Sequence, residues 1–308
     1  MSRLKFREDG TFTIVQFTDL HWKNGEPEDV QTYSLMKSVL LAESPDLVVF
    51  TGDVIQGEYC KDPRESYRNA VRVAEELRIP WAAVFGNHDP EKCSKEELID
   101  AQLSSPFCLT EPGPSMGNRL GNYVLEIQSG TAGTPAAALY FIDSGMSTEL
   151  PIGGYEWITH QQIGWYKEKS SLLTQQNQGV PLPSLAFFHI PLPEYNEVWN
   201  DHTCYGHSFE EMCCPKVNSG LFTAFLEMKD VKGVFVGHDH INDFWGELHG
   251  VRLCYGRATG YNTYGKEGFP RGARIIRMLE GESSFQSWLR LDDGSVIDNQ
   301  PEHLPEQV

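Results

Sequence analysis

Five short clusters along the chain bring together carboxylates, an amide and imidazoles. They are Asp19-Leu20-His21, Gly52-Asp53, Gly86-Asn87-His88-Asp89, His189-Ile190-Pro191 and Gly237-His238-Asp239-His240. None contains a cysteine, so the donors on offer are oxygen and imidazole nitrogen. That set suits Mn, Fe, Zn or Ni and is too rich in nitrogen for Ca or Mg. Two Asp, one Asn and four or five His make at least seven candidate ligands, more than one tetrahedral ion needs. They suffice for two divalent ions that share a carboxylate. Two ions roughly 3.5–4 Å apart clamp the attacking and leaving oxygens of a phosphoryl transfer. In Asp19-x-His21 and His238-x-His240, alternate residues of an extended segment would point the same way. The glycines at 52, 86 and 237 would let the chain turn each cluster inward.

Each cluster follows a segment that reads as a strand. Thr11 to Thr18 is rich in β-branched and aromatic residues, and Leu47 to Phe50, Trp81 to Phe85, Leu185 to Phe188 and Gly233 to Val236 are short apolar runs. Helical patterns separate them: Val30 to Ala42, with Val30, Tyr33, Leu35, Met36, Val39 and Leu40 on one face; Pro63 to Leu77; and Thr159 to Leu173, with Ile163, Tyr166 and Leu172 inward. Buried strands alternating with helices indicate an α/β core, whose ligand sites lie at the carboxyl ends of its strands. Tyr123 to Ile127 and Ala137 to Ile142 read as paired strands. Asp243 to Leu248, Val251 to Tyr255, Ala273 to Met278 and Phe285 to Leu291 make a β-rich end. One domain over 1–308 is expected, with its core at about 10–292, a cap or insertion loop at 191–220 and a tail at 293–308.

Composition removes several function classes. Acidic residues outnumber basic ones by 43 to 25, for a net charge of −18, so general binding to nucleic acid or anionic membranes is disfavoured. No run approaches the roughly 20 apolar residues of a membrane span. Seven cysteines, with no Cys-x-x-Cys pair and no Asn-x-Ser/Thr acceptor, fit a reduced cytoplasmic compartment. The oligomeric state leaves no signature.

The order D-x-H, G-D, G-N-H-D, H and G-H-x-H resembles the calcineurin-like metallophosphoesterase superfamily. The segments from His189 to Tyr195 and from Gly237 to Asp243 resemble its branch related to purple acid phosphatases. The resemblance implies a four-layer sandwich of two facing mixed β-sheets flanked by helices. It also implies hydrolysis of a small phosphorylated substrate, most readily a phosphomonoester, by attack of a metal-bridging hydroxide. Cyclic nucleotides or other small diesters are the first alternative, and a non-catalytic binding scaffold on the same fold is the second. Carried over residue by residue, Asp19, His21 and His240 would hold one ion, Asn87, His189 and His238 the other, and Asp53 would bridge them. His88 would be the catalytic histidine that is not a ligand, and Asp89 would hydrogen-bond it. Purple enzymes carry a tyrosine as G-D-x-x-Y; here that position is Gln56. Divalent metals are therefore expected, without the purple absorption band.

Outside the clusters, Arg257, His202, His207 and Tyr195 are candidate substrate contacts. Arg257 could grip a phosphate through its planar fork, with an internal salt bridge as the competing reading. His202 and His207 lie with Cys204, Cys213 and Cys214 in the 191–220 excursion, and Tyr195 follows the fourth cluster. Trp22 is placed in packing or in the cleft wall, and the stretch from Arg271 to Arg274 at a solvated strand start.

Overall fold

The computed structural model describes residues 4–305. A central β1 (Thr11–Phe17) pairs in parallel with β2 (Leu47–Thr51), which pairs in parallel with β3 (Trp81–Val84). On its other side β1 meets β11 (Gly272–Leu279) antiparallel, followed by β12 (Phe285–Leu291) and β13 (Val296–Ile297). These make a six-stranded mixed sheet. A second sheet runs β14 (Glu302–His303), β7 (Cys204–Tyr205), β9 (Trp245–Leu248), β10 (Val251–Tyr255), β8 (Val231–Val236), β6 (Ser184–Phe187), β5 (Pro135–Phe141) and β4 (Tyr123–Gln128).

The sheets face each other because their strands are apolar on both sides. Phe12, Ile14, Val49, Ala82 and Val84 of the first sheet meet Leu139, Phe141, Leu185, Phe187 and Phe235 of the second in one core. The alternate residues Val15, Phe17, Val48 and Phe50 face outward, onto α1 (Pro27–Glu43), α2 (Pro63–Glu76) and α3 (Lys95–Leu103). Tyr140, Ala186, Val234 and Val236 turn to the opposite outer layer, with α4 (His160–Gln176), α5 (Glu194–Asp201) and α6 (Leu221–Met228). The result is the expected four-layer α/β sandwich.

Local signals set the helix starts. Pro63 occupies the first turn of α2, and Asp62 caps it, its carboxylate accepting from the backbone N–H groups of Arg64 and Glu65 at 3.0 and 3.1 Å. Two inward assignments do not hold. Val30 and Leu172 are exposed, and Leu173, one residue on, takes the buried place on α4. The segment 293–305 is not a loose tail: β13 extends the first sheet and β14 the second, with His303 stacked on Trp199 at 3.7 Å. The excursion after His189 is also built into the fold, because α5 buries Tyr195 and Val198 and β7 joins β9. Trp22 packs in the interior at 2% exposure. Arg271 and Arg274 are buried rather than solvated, because the carbonyls of Thr263 and Tyr264 take the first guanidinium, and Ser287 and Gln300 are among the acceptors of the second.

Candidate metal centre

All five clusters leave carboxyl ends of parallel strands, but of two sheets. Asp19, Asp53 and Asn87 follow β1, β2 and β3; His189 and His238 follow β6 and β8. The seam between the sheets is sewn at this point. Gln16 Nε2 donates to Val236 O at 3.0 Å, and His238 N donates to Asp19 Oδ1 at 3.1 Å. Gly86 has to be glycine for room, since a Cβ there would lie 2.2 Å from both the backbone nitrogen and Oδ1 of Asp53.

The clusters are not extended, as alternation had suggested. Asp19, His21, Asp53 and His238 have φ of 54°, 48°, 47° and 81°, in the left-handed region that costs an L-residue about 1–2 kcal/mol. Four of the seven candidate ligands thus sit in strained backbone. Such strain concentrates where a side chain must be aimed against local preference.

One donor atom each from Asp19, His21, Asp53 and His240 lies within 4.8 Å of the others, and so does one each from Asp53, His189 and His238. All six residues are buried. Asp53 belongs to both sets: its Oδ2 is 3.1 Å from His189 Nε2 and 3.7 Å from His21 Nε2. Its Oδ1 is held by the backbone N–H of His88 at 2.8 Å. His21 Nε2 lies 3.1 Å from His240 Nε2, and His238 Nδ1 3.3 Å from His189 Nε2. Asn87 Oδ1 is buried with no hydrogen-bond partner among the described residues, as an oxygen kept for a cation would be. Converging imidazoles, one shared carboxylate and an unpartnered amide oxygen fit two divalent ions.

Three histidines have their outer nitrogen engaged, which turns Nε2 inward. His21 Nδ1 meets Gln56 Oε1 at 2.6 Å, His189 Nδ1 donates to Thr51 O at 2.8 Å, and His240 Nδ1 meets Thr263 Oγ1 at 2.6 Å. Charges follow this geometry. Burial works against the charged form of Asp53, yet the imidazole of His189 holds its carboxyl well below the usual range. Burial likewise opposes Asp19, which the hydrogen bond and charge of His240 bring down to about 2. Burial also opposes a charge on His189, but Asp53 raises it to about 10. Burial pushes His21 down to about 4 and His238 down to about 3, so both stay neutral and ready to ligate.

His88 stands at the rim, its side chain 35% exposed. Its ring lies 5.3 Å from that of His21. Asp89 is not its partner. The Asp89 carboxylate accepts from Ile55 N at 2.9 Å and Gly86 N at 2.7 Å, fixing the turns that carry Asp53 and Asn87. Glu91 meets His88 instead, Oε1 to Nδ1 at 2.6 Å, three residues on in sequence. Burial lowers the pKa of His88, but Asp53 and Glu91 more than reverse this and raise it.

The four substrate candidates are engaged elsewhere. Arg257 is 4% exposed, pairs with Asp243, donates to Pro270 O at 2.7 Å and lies over the Phe269 ring. This is the salt bridge that was its competing reading. Tyr195 is wholly buried, its hydroxyl on Val234 O and Cys254 O, both at 3.2 Å. His202 closes α5, and His207 sits beside Asp243 and stacks on Phe209. The excursion does reach the centre, through other atoms: Cys213 N donates to Asp239, and Ile241 N donates to Glu210 Oε1 at 2.8 Å. Two aromatic neighbours carried no sequence signal. Tyr155 meets the His238 ring edge-on at 4.5 Å, and Tyr264 lies 4.2 Å from the His240 ring.

The family model for calcineurin-like phosphoesterase matches residues 12–242, three quarters of the chain and all five clusters. The chain belongs to that family. A relative in Arabidopsis thaliana, "Probable inactive purple acid phosphatase 29", is 37% identical over 97% of this chain and 87% of its own length. "Phosphatase DCR2" of Saccharomyces cerevisiae is 32% identical over 94% of this chain, which spans 55% of that protein. Among solved structures, a dimetal phosphatase from Danio rerio shares the fold with a TM-score of 0.61 at 14% identity, covering 90% of this chain and 98% of that one. Among the described residues no helix is long and apolar enough to cross a membrane.

Proposed function

We propose that this phosphoesterase-family chain is an active dinuclear hydrolase of small phosphate monoesters. The observation that carries the reading is the double donor set sharing Asp53 Oδ2. Asp19, His21 and His240 would hold one divalent ion, Asn87, His189 and His238 the other, with Asp53 between them. Mn, Fe, Zn and Ni all suit these donors. When bound, such ions supply the charge that activates water and steadies phosphoryl oxygens.

The remaining chemistry belongs to the chain. Asp53 is fixed by the His88 backbone, so its second oxygen keeps one position. His88, half-exposed and biased toward its charged form by Asp53 and Glu91, can donate a proton to a leaving oxygen. Asp89 holds the two turns in register. The name of the yeast relative, a phosphatase, supports the monoester class. Gln56 stands where a purple enzyme has its tyrosine and is turned onto His21, which supports divalent metals without a purple band.

The plant relative's name favours a second reading, a catalytically silent scaffold. The full donor set and His88 argue against it here. The deciding experiment is metal content per chain, with para-nitrophenyl phosphate turnover followed through chelation and Mn re-addition. About two ions per chain and activity that vanishes and returns are expected. Two ions with no turnover of mono- or bis-para-nitrophenyl phosphate would support the scaffold; a preference for the bis-ester would move the substrate class to diesters.

A further inference from the structure

Gln56 touches both halves of the centre. Its Oε1 lies 2.6 Å from Nδ1 of His21, a candidate ligand, and its Nε2 lies 2.9 Å from Nδ1 of His88, the candidate acid. The residue springs from a fixed point, because its backbone N–H donates to Trp22 O at 2.9 Å and Trp22 N donates to Val54 O at 3.0 Å. The side chain is half-buried between the two rings.

Counting hydrogens makes this contact directional. His21 can offer Nε2 to an ion only as a lone pair, so its hydrogen must sit on Nδ1. That hydrogen needs an acceptor, and Gln56 Oε1 is in place. An amide accepting at its oxygen presents NH2 at its other end, here to His88 Nδ1, which can receive it only as a lone pair. A neutral His88 then carries its hydrogen on Nε2. The reversed amide would place NH2 against His21 Nδ1 and force the hydrogen onto His21 Nε2, where it blocks ligation. Glu91 competes, since its Oε1 lies 2.6 Å from the same His88 Nδ1 and favours a hydrogen there. His88 therefore has two arrangements, one shared with Glu91 and one with Gln56.

We propose that Gln56 is a positioning residue that ties the tautomer of His88 to ligation by His21. Once His21 holds an ion, Gln56 directs the His88 hydrogen to Nε2, the nitrogen taken by neither Gln56 nor Glu91. The catalytic consequence rests on the phosphoesterase reading; the metal-binding and tautomer consequences do not.

The test uses the full chain loaded with Zn, Gln56→Glu and Gln56→Leu, imidazole nitrogen NMR and calorimetric Zn titration. Zn-loaded wild type, at a pH high enough to leave His88 neutral, should show its one ring hydrogen on Nε2. Gln56→Leu removes both contacts, so its first ion should bind about 10–100-fold more weakly. Gln56→Glu keeps an acceptor for His21 and loses the donor to His88. First-ion affinity should stay within about threefold, His88 should carry a hydrogen on Nδ1, and kcat should fall roughly tenfold at unchanged KM. A hydrogen on His88 Nδ1 alone in Zn-loaded wild type overturns the proposal, as does unchanged first-ion affinity in Gln56→Leu. Should Gln56→Leu not fold, the wild-type spectrum and Gln56→Glu still decide. A wild type that hydrolyses no ester would sink the hydrolase reading and leave the affinity and tautomer results standing.

Discussion

The Nε2 atoms of His21 and His240 face each other at 3.1 Å, each ring anchored through its other nitrogen, to Gln56 and to Thr263. The Gln56 amide oxygen takes a hydrogen from His21 Nδ1, and the Thr263 hydroxyl is able to accept one from His240 Nδ1; in that arrangement two lone pairs oppose each other at a distance where they repel. A cation drawn in beside them turns that repulsion into ligation. Metal should therefore stabilise the fold. At about a thousandfold excess over Kd, an ion that binds only the native state adds about 4 kcal/mol. Thermal melts with and without chelator should differ by many degrees. Asp53→Asn should lose both ions together, because one carboxylate oxygen serves both sets. Elemental analysis showing one ion retained would contradict the shared role.

Glu91, not Asp89, is placed to tune His88, so the two acids should fail differently. His88→Ala should keep both ions and lose about 10²–10⁴ in turnover, the usual span of a general acid. Glu91→Gln should keep both ions and move the alkaline limb of the pH–rate profile, where His88 loses its proton, to lower pH, since the Glu91 charge helps raise the His88 pKa. Asp89→Ala should strand the N–H groups of Ile55 and Gly86 and weaken metal binding through the turns that carry Asp53 and Asn87. Loss of metal in His88→Ala, or full metal content in Asp89→Ala, would reverse these assignments.

The two ion sites should respond differently to acid. Burial disfavours a charge on His189, but Asp53 raises it to about 10 in the ion-free centre. An ion can take Nε2 only after that proton leaves. Binding to the His189 set should therefore release about one proton at neutral pH and weaken about tenfold per unit as pH falls from about 8 to about 6. His21, pushed down to about 4 by burial, carries no proton to displace in that range, so the first set should change far less. Calorimetric titrations in two buffers of different ionisation enthalpy measure both proton counts. Equal slopes for the two ions would be incompatible with this account.

The strands that carry the clusters were legible because they are short apolar runs ended by glycine or a polar ligand, a local signal. The partition of five strand ends between two sheets was not, because pairing is long-range and β2 and β6 have much the same composition. The ligands could be read from residue type and order. Their left-handed backbone could not, since nothing in the type of Asp19 or His238 announces a positive φ. Gln56 and Thr263 escaped a positioning role because an amide and a hydroxyl on loops are everywhere; only their distance to a ring nitrogen sets them apart. Arg257 and Tyr195 misled for the reverse reason. A basic or phenolic residue near a motif reads as a substrate contact, whereas Asp243, in the turn before β9, claims the first and two backbone carbonyls claim the second.

Arg274 gives the sharpest test of the packing. It is wholly buried on β11, yet its guanidinium donates to Tyr255 O at 2.6 Å, to Ser287 Oγ at 3.0 Å, to Gln300 Oε1 at 3.3 Å and to Asp243 O. One side chain thus joins β10, β12, the turn before β9 and the segment leading to β14. Arg274→Met fills similar volume but leaves the carbonyls of Tyr255 and Asp243 without this donor. Hydrogen bonds to a charged group contribute about 1.5–3 kcal/mol each, and removal also relieves the cost of burying the charge, so a net loss of about 2–4 kcal/mol is expected. Arg274→Lys should not rescue it, because an ammonium cannot span four acceptors arranged for a planar fork. Arg274 makes no hydrogen bond to any of the seven candidate ligands, so two-ion binding should survive in the folded variant. Denaturant melts together with metal content separate the two effects. A loss below about 0.5 kcal/mol would mean that water or neighbouring groups replace the guanidinium and that the junction does not depend on it.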